Sequence, residues 1–251
     1  LADNYWGIFG LGNAANTSAS DEAILTTRQF NTTQFAVQVL DPAQFAGAWG
    51  GFATLAEFYH SFGPGDPRFL GPRITVANAN LGFNAGYQLD NHGDTILLFD
   101  GAPLYYAVDI DPDGASRQQG ARPVKYEPAA APGGIAPDNL WVALRLGEVY
   151  LMRAEAAFRK GSESEALEIL NELREKRGAA QLSAVNEDSI MAEYGFELWW
   201  EGHRRTQLIR FGKFNRELSI RPTGSEAFYQ LFPIPQKALD ANPALRQNPG
   251  Y

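Results

Sequence analysis

"RLGEVYLMRAEAAFRKG" (Arg145–Gly161) and "ALEILNELREKRG" (Ala166–Gly178) decide how this chain is read. In the first, Leu146, Val149, Tyr150, Ala154 and Ala157 recur at steps of three and four, the period of one helix face. Gly161 ends that helix. Ser162 or Ser164 stands where the next helix needs a cap, and Glu165 and Glu168 lie near its positive end. Ala166, Leu170 and Leu173 then repeat the pattern until Gly178 closes it. Two amphipathic helices joined by a short turn, with alanines where they approach, have the form of one tetratricopeptide unit. About three such units are needed for a stable stack. Either further units lie upstream, or this pair packs on the rest of the chain.

Working outward, "NEDSIMAEYGFELWWEGHRRTQLIRFGKF" predicts a third helix over Asn186–Phe214, with Ile190, Tyr194, Leu198 and Leu208 as its apolar stripe. Gly195 and Gly202 each weaken it by about 1 kcal/mol relative to alanine, so tight packing is expected to compensate. Trp199 and Trp200 read as core. Glu197, Glu201, Arg204 and Arg210 read as structural ion pairs at helical spacing, not as an acid–base constellation.

The first 138 residues are irregular, with Gly, Pro, Asn and Asp punctuating short apolar runs. "DEAILTTRQF" (Asp21–Phe30) and "TQFAVQVL" (Thr33–Leu40) suggest a strand or two. "AGAWGGFATLAEFYHSF" (Ala46–Phe62) passes from a Gly-rich loop into a helix. "GDTILLFDGAPLYYAVDI" (Gly93–Ile110) reads as strand, turn at Asp100-Gly101, and strand. A Pro/Ala/Gly-rich connector leads to Asn139. At the other end, "LFPIPQKALDANPALRQNPGY" (Leu231–Tyr251) reads as an extended strap, a helical turn at Gln236–Ala241, and an aromatic terminus. Phe232, Ile234, Leu245 and Tyr251 are expected to pack on the domain as a clasp.

The 251 residues carry a net charge of −8, which argues against a nucleic-acid phosphate backbone as partner. No cysteine is present and only three histidines, His60, His92 and His203, so disulfides, thiolate sites and a His-built zinc site are not expected. No apolar run reaches the roughly 18 residues of a membrane span. The chain starts at Leu1 rather than Met and is expected to be a trimmed product or a fragment of a longer protein. No Gly-x-Ser-x-Gly elbow, His-Glu-x-x-His helix or phosphate loop is found, so the chain is not expected to be an enzyme. Asp109, Asp111 and Asp113 have the spacing that opens an EF-hand loop, but Gly120 holds the twelfth position and Pro112 interrupts it; a polar turn is the default, a calcium site the alternative. Asn16 and Asn31 begin Asn-x-Ser/Thr sequons.

In order and spacing, "RLGEVYLMRAEAAFRKG", "ALEILNELREKRG", "ELWWEGHRRTQLIRFGK" and "LFPIPQKALDANPALRQNPGY" resemble the C-terminal half of the SusD/RagB family, over about Asn139 to Tyr251. "DEAILTTRQF" and "GDPRF" extend the likeness more loosely upstream. The family's usual Arg-Trp-x-Asp-Leu run is replaced here by Arg205-Thr206-Gln207-Leu208. The resemblance implies a mainly α, SusD-like fold. Tetratricopeptide-like helix pairs and a C-terminal clasp (139–251) would pack against a loop-rich, ligand-binding part with a few short strands (1–138). It implies a glycan-binding lipoprotein of the outer-membrane surface. Such a protein passes oligosaccharide or polysaccharide to a SusC-like TonB-dependent transporter, and is held by an N-terminal lipid anchor that this chain does not contain. No cofactor is implied. The alternatives are a helical-repeat docking module without a small ligand, or a binder of another nutrient.

Sugars offer C–H faces to aromatic rings and hydroxyls to polar side chains. In the loop-rich part Trp49 leads the candidates, because Gly47, Gly50 and Gly51 let it stand out of a loop. Trp6, Phe52, Tyr87 and Tyr105 follow, with Asn84, Gln88 and Asn91 as hydrogen-bonding partners around Tyr87. Core packing is the competing reading for each ring.

Overall fold

The computed structural model describes residues 1–15, 21–27, 31–129 and 139–251. The sequon at Asn16 and residues 130–138 of the connector lie outside the described residues. Two compact units are present, Leu1–His203 and Arg204–Tyr251. The expected boundary at Asn139 thus falls inside the first unit, where Arg177, just past the helix pair, is buried against Glu22 and Ala2 of the loop-rich part.

In the first unit, helix α1 spans Thr33–Val39 and α2 Ala56–Tyr59; α3 (Leu146–Arg159), α4 (Glu163–Lys176) and α5 (Glu187–Leu198) follow. Strand β1 (Ala23–Thr27) pairs antiparallel with β7 (Trp141–Arg145). A three-stranded sheet runs β2 (Leu70–Ile74), β3 (Ala79–Asn84), β6 (Arg122–Val124), and β4 (Gly86–Tyr87) pairs with β5 (Tyr105–Tyr106).

The helix pair forms where its period places it, and α3 packs on both α4 and α5. Its buried stripe is Gly147, Leu151, Ala154 and Ala157, whereas Val149 and Met152 stay exposed. On α4, Ala166, Leu170 and Leu173 are fully buried as the spacing predicts. Asn186 caps α5 through a reciprocal pair with Ser189, which satisfies two donors of the first turn.

Two elements differ from expectation. Thr33–Val39 is a helix, not a strand: Phe35 and Val39 sit on one side, and Ala36, Val37 and Val39 are buried. The long third helix breaks after Leu198, and α6 restarts only at Arg204–Arg210. Trp200 has φ 58° and Gly202 φ 87°, both left-handed, so the break is a sharp turn and not a kink. Trp199 enters the core, 4.6 Å from the Phe83 ring, and Trp200 packs partly buried against the same cluster.

Beneath this aromatic core lies a buried cluster of ion pairs. Arg145, at the end of β7, donates to Glu22 (2.8 Å), Glu197 (2.6 Å) and both oxygens of Glu201 (2.7 and 2.8 Å). Arg177, after α4, bridges Glu22 (2.6 Å) and Glu197 (2.9 Å). Arg68 joins Asp66 (2.8 Å), Glu193 (2.7 Å) and Glu197 (3.1 Å). Arg174 pairs with Glu193, and Lys125 with Glu201 at 3.0 Å. Five cations thus meet five carboxylates, all essentially removed from water.

The acids expected to pair along their own helix are instead neutralised by long-range partners. The backbone is fitted around them: a Cβ on Gly147 would lie 2.5 Å from Arg145 Nη1 and 2.6 Å from Glu197 Oε1, so only glycine lets α3 start there. Burial alone would raise the carboxyl of Glu197, but Arg177, Arg145 and Arg68 outweigh it and hold the group well below the usual range. Glu201 is lowered the same way by Arg145 and Lys125 against its burial. Burial drives Lys125 down to about 8 despite Glu201.

The second unit contains α6, a 3-10 turn at Ala227–Gln230, and α7 at Gln236–Ala241, the helical turn the sequence predicts. Pro233 and Pro235 have no N–H to give a ladder, so side chains of the last residues replace it. Gln247 both accepts from Ile234 N (2.8 Å) and donates to Ile234 O (3.0 Å). Asn248 donates to Phe232 O (2.8 Å), and the Tyr251 hydroxyl to Leu231 O (2.9 Å). The tail therefore closes on its own strap. Phe232 remains 70% exposed and Leu245 and Tyr251 are also exposed, so the expected burial of these rings and of Leu245 is not realised.

Removing one member of a buried ion cluster strands its partners' charge, at a cost of about 3–5 kcal/mol. Glu197→Gln should destabilise the chain by about that much in urea titration; a loss under 1 kcal/mol would contradict the role given to the cluster. Because Glu197 and Glu201 are lowered in the folded state, their contribution is present above the ordinary carboxylate pKa and is lost as pH falls below it. The wild type should hold its stability from pH 7 to about 5 and lose it below about 4.5, with a shallower acid limb in Glu197→Gln.

Candidate functional site

The sequence between Phe45 and Phe52 cannot be regular: Gly47 and Gly50 take φ 82° and 60°. The loop is pinned from both sides. Trp49 N donates to Val37 O (2.9 Å) and Gly51 N to Gln38 O (2.7 Å), which ties it to the end of α1. From below, Arg122 of β6 donates to Phe52 O (2.9 Å) and Gly50 O (3.4 Å) and stacks its guanidinium 5.0 Å over the Tyr106 ring. Trp49 is left 56% exposed and Phe52 52%. Behind Phe52, Trp200 and Phe35 continue as a chain of edge-to-face rings at 6.3 and 6.0 Å.

A second exposed group stands on the meander from Gly86 to Tyr106. Its strands alternate: Gln88, Ile96, Leu104 and Tyr106 point inward, while Tyr87, Leu89, Leu97, Phe99 and Tyr105 point out. Tyr87 and Tyr105 are cross-strand partners, with centroids 4.9 Å apart at 70°. Phe99, beside the Asp100-Gly101 turn, is 92% exposed. The inner side is polar and hydrogen-bonded. Tyr106 OH donates to Gln44 Oε1 (2.8 Å) and accepts from Asp41 N (2.9 Å), and Gln44 Nε2 donates to Gln88 Oε1 (3.1 Å). Both exposed groups thus stand on one buried scaffold, Arg122–Tyr106–Gln44–Gln88.

The candidate residues separate accordingly. Trp49, Phe52, Tyr87 and Tyr105 face solvent. Asn91 is exposed too, with Nδ2 donating to Thr75 O (2.8 Å). Trp6 is corrected to the core: it is 8% exposed, and its Nε1 donates to Pro67 O (2.9 Å). Asn84 is also buried, bonded to both N and O of Asn80, which leaves it bracing β3. Gln88 supports the meander from within. Leu97 and Phe99 were missed, although the alternation in "TILLFDG" announces an outward face, and so was Leu89.

Asp109, Asp111 and Asp113 lie in an exposed turn whose Asp111 carboxylate caps Asp113 N (3.0 Å). Among the described residues no group of three or more His, Asp or Glu side chains is placed to hold a metal, and no helix is long and apolar enough to cross a membrane.

Comparison with known proteins places this architecture. The model of the SusD family (SusD_RagB) matches residues 104–251, more than half of the chain. The chain belongs to the SusD family. The starch-binding protein SusD of Bacteroides thetaiotaomicron is 36% identical over 124 residues, covering 46% of this chain and 22% of that protein. A SusD-like protein of Formosa agariphila is 31% identical over 129 residues, 44% of this chain and 24% of its own. Among solved structures, a SusD-like protein of Bacteroides fragilis superposes with TM-score 0.68 at 18% identity, over 100% of this chain and 58% of that one. Surface glycan-binding protein A of Bacteroides uniformis does so with TM-score 0.63 at 22% identity, over 99% and 52%. The chain thus spans little more than half the length of these solved relatives, and its fold is theirs.

Exposed rings on a braced loop contribute little to stability, whereas a buried Trp contributes much. Trp49→Ala and Tyr87→Ala should each stay within about 0.5 kcal/mol of wild type, and Trp6→Ala should lose about 3–5 kcal/mol. Chemical denaturation checks both; a large loss for Trp49→Ala would make it a packing residue.

Proposed function

We propose that this chain binds a glycan, as oligosaccharide or polysaccharide, through the solvent-facing rings of its loop-rich half. The observation that carries the reading is the pair of exposed aromatic groups, Trp49 with Phe52 and Tyr87 with Tyr105, held on a buried scaffold of hydrogen-bonded side chains. Rings that face water on a rigid support stack on the C–H faces of pyranoses without an ordering cost, and Asn91 stands by as a polar partner. Family membership supports it, and so do similar proteins, one named as starch-binding and another as laminarin-binding. In this reading the protein is a binder and not an enzyme. It sits at the outer-membrane surface of a polysaccharide-uptake system, lipid-anchored, and passes its ligand to a SusC-like TonB-dependent transporter.

One observation favours a second reading: the outer side of α3 leaves Val149 and Met152 exposed, as a helix of a docking surface would. Affinity electrophoresis against a panel of neutral polysaccharides separates the two. The glycan reading expects retardation by at least one polysaccharide and about tenfold weaker binding in Trp49→Ala, equivalent to about 1.4 kcal/mol. No retardation by any polysaccharide, or binding untouched by both Trp49→Ala and Tyr87→Ala, would sink it; hydrolysis of any glycan would overturn its non-enzymatic part.

A further inference from the structure

The second unit holds a cavity of about 800 Å³, bounded by residues of that unit alone. Its size lies within the range of small-ligand pockets, about 300–1,000 Å³. Aromatic rings dominate one side: Phe214, Tyr229, Phe232 and Tyr251. Arg205 is inserted between two of them, its guanidinium 4.5 Å from the Phe214 ring centre and 4.3 Å from that of Phe232. Of its five N–H donors, one bonds Tyr229 O at 2.7 Å. Arg221 anchors on Phe214 O (3.3 Å) and Arg216 O (3.2 Å), and its buried Nε has no partner. No carboxylate pairs with either guanidinium among the described residues, although the chain as a whole carries −8. Thr223 and Ser225 add hydroxyls, and Glu226 is the lone acid of the lining.

Two half-buried guanidiniums without a carboxylate partner, beside stacked rings in an acidic chain, are matched to an anion with an apolar face. A planar fork fixed by two rings is preorganised for bidentate contact with a carboxylate. We propose that this cavity is a second binding site, for a saccharide that bears a carboxylate. The uronate group meets Arg205 and Arg221, the sugar ring lies on Tyr229 and Tyr251, and its hydroxyls meet Ser225 and Thr223. The site is separate from the neutral-glycan surface of the loop-rich half and does not depend on it.

Calorimetry on the full chain tests it with digalacturonate and its neutral dimethyl ester. The acid should bind at least tenfold tighter than the ester. Arg205→Gln should remove that preference, Arg205→Lys should restore only part of it, and Phe232→Ala, a change at an exposed ring, should weaken both ligands. Near-UV circular dichroism identifies any variant that has lost its fold. Trp49→Ala should leave digalacturonate binding unchanged. Equal binding of acid and ester, or an Arg205→Gln protein that is folded and binds the acid as before, would overturn the site. Binding of a capped peptide carboxylate as tight as digalacturonate would overturn the saccharide assignment. Loss of acid binding in Trp49→Ala would move the ligand to the loop-rich half.

Discussion

The carboxylate of Glu197 is the fixed point of this structure. It receives Arg145, Arg177 and Arg68, which arrive from the end of β7, the end of α4 and the loop before β2. Its backbone carbonyl takes Arg145 Nη2, Lys125 Nζ and the Tyr5 hydroxyl. A buried charge is tolerable only while every partner is in place, since desolvation costs several kcal/mol per ion and the attraction offsets it only in good geometry. The arrangement is therefore all-or-none. Ala2, whose carbonyl takes Arg177 and whose N–H reaches Glu22, and the Asp66–Arg68 turn, whose Arg68 pairs with Glu193 and Glu197, are tied in through this cluster.

That constraint reaches the exposed surface through the core. Lys125 lies among the rings of Tyr5, Phe9 and Trp199 at 4.4–4.8 Å, and follows directly on β6, the strand that carries Arg122. Arg122 in turn holds the carbonyls of the Trp49 loop. Lys125 is itself held by the Glu201 carboxylate and the Glu197 carbonyl, so the end of α5 and the turn after it fix the strand that positions the rings proposed to meet sugar. The loop-rich half has little regular structure of its own, and its rigidity is borrowed in this way. Residues that face water here are free to vary in kind without disturbing the support.

The helix pair and the terminal helical turn were legible because amphipathic period and proline position act locally. Family resemblance was legible for the same reason, in four segments with fixed order. What escaped were features that depend on contacts distant in sequence. Thr33–Val39 looks β-branched enough for a strand, yet its burial against the core makes it a helix. Glu201 offered Arg204 and Arg205 three and four residues on, yet the fold supplied Arg145 and Lys125 to it, and Arg145, Arg68 and Arg177 to Glu197. No local pattern marks Glu22 as buried. Trp6 and Trp49 are each followed by glycine in sequence, but only packing decides that one is core and the other surface.

Native-state hydrogen exchange with residue resolution tests the dependence of the loop-rich half on this charge cluster most directly. Backbone amides of β6 and β7, those of α5, and the amides of Phe83 and Phe9 should open together, with one common free energy and one common denaturant dependence, as a single cooperative unit. Strands β6 and β7 exchanging at a clearly lower free energy than α5 would show that the strands open while the helices stay closed, and would contradict it.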